Sequence, residues 1–87
     1  MQKVIVNIGG MACSMCEAHI NDVIRKLYPN AKSVRSSHKK NMTEFVIEGG
    51  VDADEIRRTV EGEGYLFEGM SARPYEKRGL FGLGSGK

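Results

Sequence analysis

Apolar and polar residues alternate from Lys3 to Ile8, where Val4, Val6 and Ile8 share one face at period two and Ile5 points the other way. Gly9-Gly10 breaks this strand and opens a loop that runs through Met15. From about Cys16 to Leu27 the period becomes helical. Ile20, Val23 and Leu27 recur on one face with Ile24 beside them, while Glu17, Asn21, Asp22, Arg25 and Lys26 lie mostly elsewhere. Pro29-Asn30 stops this helix. Ala31 to Ser37 reads as a weak second strand whose apolar points are Ala31 and Val34; Ser33, Ser36 and Ser37 make it unusually polar. His38-Lys39-Lys40-Asn41 is a polar turn, and Met42 to Glu48 a third strand with Thr43, Phe45 and Ile47 on one face. After Gly49-Gly50, Asp52 is the expected N-cap of a second helix, with Glu55 as capping-box partner and Ile56 and Val60 on the buried side. Gly62 and Gly64 end that helix, and Tyr65 to about Ala72 is the fourth strand.

The order β-α-β-β-α-β predicts an α+β, ferredoxin-like sandwich: a four-stranded antiparallel sheet in the order 4-1-3-2, with two helices on one face. It occupies residues 1–72, and residues 73–87 form a charged, then glycine-rich tail expected to be flexible. Within that tail, Leu80, Phe81 and Leu83 are candidates for docking on a partner, a second copy or the sheet. The up-and-down path of the chain brings three connections to one end: the cysteine loop, the His38 turn and the loop Gly62-Glu63-Gly64-Tyr65. The second strand is the far edge, which sets His38 about 10 Å to the side at 4.8 Å per strand step. Tyr65 opens the strand next to the first and is better placed.

Composition changes little in this picture. The chain has 87 residues, 40% apolar and 28% charged, enough for one small domain. Its net charge of +2 is spread along the chain without interleaved aromatics, which argues against a nucleic-acid-binding face. No apolar run approaches the roughly 20 residues of a membrane span, and Val4 to Ile8 is too short and interrupted to be a signal peptide. A cytoplasmic location is therefore expected, where a close cysteine pair points to metal or redox chemistry rather than a structural disulfide.

The only two cysteines, Cys13 and Cys16, lie at the junction of first strand and first helix. Cys16 at the helix start sits near the positive end of the helix dipole, which favours its thiolate. Cys13, in the loop, is the more exposed and mobile. Two soft thiolates with no third strong ligand beside them suit Cu(I), whereas zinc ordinarily takes four ligands, or three and a water. His19 continues the spacing as Cys13-x-x-Cys16-x-x-His19 and is read as a half-exposed helix residue before a ligand. His38 is read as a solvated turn residue, with a role at the metal or in bridging a dimer as the sharper alternative. Met15 is an exposed thioether that shields the site or touches a partner. Tyr65 either gives its hydroxyl to a cysteine sulfur or caps the core. Lys39 and Lys40 either offset the charge of a bis-thiolate centre and guide an acidic partner, or are simply solvated.

Gly10-Met11-x-Cys13-x-x-Cys16, set in this element order and followed by Gly64-Tyr65, resembles the signature of heavy-metal-associated domains, over Lys3 to about Ala72. These form copper chaperones and the N-terminal modules of metal-transporting P-type ATPases. The resemblance implies that Cys13 and Cys16 are the ligands, that Met11 supports the loop from below, and that Tyr65 lies close to the metal, as the tyrosine of bacterial copper chaperones does. It further implies Cu(I) as cargo, with Zn(II) or another soft divalent ion as the alternative, and a P-type ATPase or other metal acceptor as partner. Ala12 stands where copper members carry threonine or serine, and zinc, cadmium and lead members an aspartate, which tilts the expectation toward copper. The short N-terminus and the unusual tail favour a stand-alone protein; a non-enzymatic chaperone is expected, monomeric but open to a metal-bridged dimer. Two other readings compete. A thiol-disulfide oxidoreductase would use the same Cys-x-x-Cys, but neither Pro29 nor Pro74 precedes the third strand as such a site requires. A zinc- or cadmium-type carrier would add His38 or His19 to the cysteines.

Overall fold

Val4, Val6 and Ile8 are all fully buried, as their common face requires, and the sheet is built outward from them. The structure, a computed structural model, describes residues 1–75. Its elements are β1 (Gln2–Gly9), α1 (Ser14–Leu27), β2 (Lys32–Ser37), β3 (Met42–Ile47), α2 (Ala53–Gly62) and β4 (Leu66–Pro74). The strands form one antiparallel sheet in the order β2-β3-β1-β4, the predicted 4-1-3-2 read from the other edge. Val4 lies between Phe45 and Ala72, and Val6 between Thr43 and Met70. Phe45, Ile47, Ile20, Ile24, Ile56 and Val60 complete the core under the two helices. The fourth strand continues past the expected Ala72 to Pro74, and the Tyr75 amide donates to the Met1 carbonyl at 3.0 Å. The glycine-rich stretch 79–87, with Leu80, Phe81 and Leu83, lies outside the described residues.

The polar character of β2 has a structural reason. Val34 is its one buried apolar residue, and beyond it the inward position belongs to Ser36. The Ser36 hydroxyl oxygen lies 2.7 Å from Asn21 Oδ1 on α1 and 2.8 Å from Thr43 Oγ1, and the fully buried Thr43 donates to the Arg35 carbonyl at 3.0 Å. Hydroxyls thus join the edge strand to the first helix where an aliphatic pair would otherwise sit, and each buried polar group has a partner.

The second helix is capped as predicted, with one change. Asp52 accepts from the amides of Asp54 at 2.9 Å and Glu55 at 3.4 Å. In a capping box Glu55 would reach back to the Asp52 amide. Here the Asp52 amide donates instead to the Tyr28 hydroxyl, which donates to Glu55 Oε1, both at 3.1 Å. Tyr28 is also the C-cap of α1 and stacks on Phe45, with ring centroids 6.1 Å apart. One side chain therefore closes the first helix, opens the second and covers the core. Tyr28→Phe keeps the ring and removes both hydrogen bonds. A loss of about 1 kcal/mol is expected in a urea unfolding experiment.

Candidate metal centre

The cysteine loop begins with Gly10, whose φ of +96° is a left-handed conformation that favours glycine. It lets the chain turn from the sheet while Met11 drops into the core cluster, 4% exposed. Cys13, extended, is the N-cap of α1, so the helix starts at Ser14, ahead of the expected Cys16. Sulfur supplies no ordinary cap, and Cys13 makes no side-chain cap hydrogen bond. Its carbonyl accepts the amides of Cys16 at 3.0 Å and Glu17 at 3.3 Å and so closes the first turn. That turn sets the two sulfurs 3.6 Å apart, both as free thiols, with Cys13 exposed and Cys16 half-buried. The Cys16 thiol is pulled down to about 7, chiefly by a backbone hydrogen bond at Ala12, then by the Cys13 thiol, the Tyr65 hydroxyl and the Cys13 backbone, against a small opposing effect of burial. Met15, between them, is 80% exposed.

Tyr65 arrives from the far end of the chain through a specific helix ending. The Gly64 amide donates to the Glu61 carbonyl at 3.0 Å and the Tyr65 amide to the Val60 carbonyl at 3.3 Å. This is the paired pattern of a Schellman motif, with Gly64 at φ +93° in the left-handed position. The reversal lays Tyr65 over Gly10, where a Cβ would stand 3.7 Å from the Tyr65 ring. Burial raises the Tyr65 phenol above its ordinary value, and its hydrogen bond with Cys16 raises it further. The hydroxyl also lies 3.1 Å from His19 Nδ1, and the two rings meet edge to face. His19 Nε2 in turn is 2.8 Å from Glu63 Oε1.

His38 sits on its turn at the same end, facing α1. Its amide donates to Glu17 Oε2 at 2.8 Å and its Nδ1 lies 2.6 Å from the same oxygen. An ionised carboxylate only accepts, so Nδ1 carries the proton. The turn is held from the other side by the Ile8 amide, which donates to the Asn41 carbonyl at 2.8 Å. The His38 amide, then its imidazole, hold the Glu17 carboxyl below the usual carboxylate range. A depressed carboxyl stabilises above its unfolded value and loses that contribution as pH falls through its folded value. The His38 turn is accordingly expected to separate from α1 in acid. The His38 amide resonance should follow a single carboxylate titration in NMR spectra, and Glu17→Gln should abolish it.

Among the described residues, no three of the His, Cys, Asp and Glu side chains gather into a group able to hold a metal ion. The cysteines therefore stand as a pair, and both imidazoles face carboxylates. The partnership of His19 with Tyr65 and Glu63 was not read from the sequence. Two signals bear on it: the shared end of the fold and the one-turn spacing from Cys16. Also among the described residues, no helix is long and apolar enough to cross a membrane.

No protein-family model matches the chain. A mercuric reductase of Serratia marcescens is 31% identical over 77 residues, which is 87% of this chain and 16% of that protein. The chain thus spans about a sixth of the length of that curated relative. The yeast copper transporter domain CCC2A, solved in apo and Cu(I)-loaded states, superposes with a TM-score of 0.65 at 26% identity, covering 85% of this chain and 97% of that one. The CopZ metallochaperone superposes with a TM-score of 0.64 at 16% identity, covering 76% of this chain and 98% of that one. The chain is thus alike in fold to copper-binding domains of the heavy-metal-associated type.

Proposed function

We propose that the protein is a carrier of a soft metal ion, Cu(I), which it binds through Cys13 and Cys16 and passes on by thiolate exchange. The observation that carries this reading is the pair of free thiols 3.6 Å apart, one of them poised near pH 7, with no third ligand gathered beside them among the described residues. Such a pair suits an ion content with two sulfurs. The Cu(I)-loaded yeast transporter domain and the CopZ metallochaperone, alike in fold, support it. Two sulfur–metal bonds of about 2.3 Å, the length found for zinc, would span about 4.6 Å in line, so a straight S–Cu–S unit requires the sulfurs to part. Cys13, exposed at the rim, is the one free to move. In transfer, a first acceptor thiolate adds to the copper as the Cys13 sulfur departs and takes up a proton, and a second acceptor thiolate then displaces Cys16 in the same way. Copper stays Cu(I) throughout.

In this reading Met11 anchors the loop, Tyr65 attends the sulfurs, and Met15 meets the incoming partner. His38, turned toward Glu17, braces the turn beside the site. The acceptor is the metal-binding domain of a P-type ATPase or a similar thiolate site, and the working compartment is one that keeps both thiols reduced, such as the cytoplasm. Anaerobic titration under reductant against a competing Cu(I) chelator tests this. One Cu(I) per chain is expected, and none in Cys13→Ser/Cys16→Ser. Failure of the wild type to compete would end the proposal.

The similarity to mercuric reductase favours a second cargo, Hg(II), which the same two thiolates would hold. The two readings part on delivery. Faster transfer of Cu(I) to a copper-ATPase domain than to a small thiol supports the first; preferential handover of Hg(II) to a mercuric reductase lacking the matching segment supports the second.

A further inference from the structure

Cations that are scattered along the sequence are gathered by the sheet onto one face. Residues paired across neighbouring strands point to the same side. On the side away from the helices, the register therefore sets Arg73, Lys3, Val46 and Lys32 in one row and Ser71, Ile5, Glu44 and Arg35 in the next. Those two rows hold four cations and one acid, Glu44, which lies 3.5 Å from Lys3. The row beyond them, Gly69, Asn7, Met42 and Ser37, carries no charge. Two further acids stand at opposite ends of the sheet: Glu48 just after β3, and Glu68, whose carboxylate lies against Gly9. The helical side has no such excess, since α1 carries two acids and two bases, and α2 three acids and two bases.

This cationic face has an apolar middle and a continuation. Val46 and half-buried Ile5 lie among the cations. Tyr75 leaves β4 on this side: its amide donates to the Met1 carbonyl at 3.0 Å, and it borders a small cleft with Lys3, Ser33 and Val46. The chain beyond it sets out from the same face, and its sequence runs Lys77-Arg78, then Leu80, Phe81 and Leu83. An acidic protein or a nucleic acid would satisfy the cations and leave these three large apolar side chains without a use. An anionic layer over an apolar one satisfies both, in the order in which the chain offers them.

We propose that this face of the sheet, together with residues 77–83, docks on an anionic lipid surface. Lys3, Lys32, Arg35 and Arg73 meet the headgroups, joined by Lys77 and Arg78, while Leu80, Phe81 and Leu83 enter the acyl boundary. Either contribution alone is marginal, and stable attachment to a membrane takes both. The strands then lie along the membrane plane and the helices face water. The cysteine loop, at one end of the sheet, looks sideways along the surface, open to a neighbouring acceptor. None of this depends on which ion the cysteines carry.

Sedimentation with vesicles tests the proposal. The whole chain should sediment with vesicles of phosphatidylglycerol and phosphatidylcholine in equal parts, and stay in solution with phosphatidylcholine alone. Raising the salt from about 0.1 M to about 1 M, which shortens the screening length from about 10 Å to about 3 Å, should release most of it. Each cation at the headgroups contributes about fivefold to the partition, so Lys32→Gln/Arg35→Gln should weaken binding by about tenfold to thirtyfold. Arg25→Gln/Arg58→Gln removes the same charge from the helices and should leave binding within about twofold. Phe81→Ser should weaken it by about tenfold, the lower end of what burying a phenylalanine supplies. Lys32, Arg35, Arg25 and Arg58 are exposed, so both double variants should unfold at the wild-type urea midpoint. No sedimentation with the anionic vesicles at about 0.1 M salt, equal losses from the sheet and helix pairs, or full binding by Phe81→Ser overturns the proposal. Retention on immobilised polyglutamate without vesicle binding also overturns it, and assigns the face to an acidic protein.

Discussion

Cys16→Ser is expected to weaken Cu(I) binding by a factor on the order of 10²–10⁴, the range over which a linked second contact strengthens the first. Its urea midpoint should stay at the wild-type value. The two effects separate because Cys16 is half-buried at a helix start and serine is nearly its size, while the ion loses half of its ligands. Cys13→Ser removes the chelate as well, but leaves the thiol that is poised near 7. Its residual binding should therefore decline as the pH falls and Cys16 takes up its proton, with Cys16 still lowered by the backbone hydrogen bond at Ala12, the largest cause, which this variant keeps. The sign is that of any depressed acid: the ionised form dominates above the folded value and is lost below it. Chelator competition at pH 6 and pH 8 on both single variants checks the ordering, and equal pH profiles for the two would contradict the assigned asymmetry. Alkylation of Cys16 should show a midpoint near 7, against about 8.5 for an ordinary cysteine.

The second large effect is on stability. Phe45 is fully buried at the centre of the sheet, paired with Val4 across β1 and stacked by Tyr28. Phe45→Ala should cost about 3–5 kcal/mol, because the rigid sheet on one side and two helices on the other leave little room to collapse into the void. A domain of this size has roughly 4–11 kcal/mol to lose. The variant should therefore be close to half-unfolded or worse at the warm end of the physiological range, and thermal unfolding followed by circular dichroism would show it. Metal should partly restore it, since an ion that binds only the folded chain adds to stability by mass action. Phe45→Leu, which leaves a smaller void, should lose a fraction of this.

Periodicity made most of the fold legible. Val4, Val6 and Ile8 against Thr43, Phe45 and Ile47 declare two neighbouring core strands, and the alternation of strand and helix fixes the sheet order. Asp52 declares its helix because its oxygen does the capping. The start of the first helix was harder to read, since Cys13 caps with its carbonyl alone and sulfur leaves no such signature. The second strand was faint because Ser36 takes an inward place through Asn21 and Thr43, a pairing that no hydropathy pattern contains. At the site, the cysteine spacing and the shared end of the fold pointed to Cys13, Cys16 and Tyr65. The carboxylate partners of His19 and His38, Glu63 and Glu17, did not follow, because nothing local distinguishes these from other surface acids.

Tyr28 gives the two helices a mechanical asymmetry. They behave as a pair of tongs riveted at one end: the tyrosine joins the close of α1 to the opening of α2 and lies flat on Phe45. At the opposite end, His19 meets Glu63 and Tyr65 through solvent-exposed contacts. Local opening draws on the least protected contacts first. That end is therefore expected to open before the rivet does, leaving the packing on which the domain depends in place.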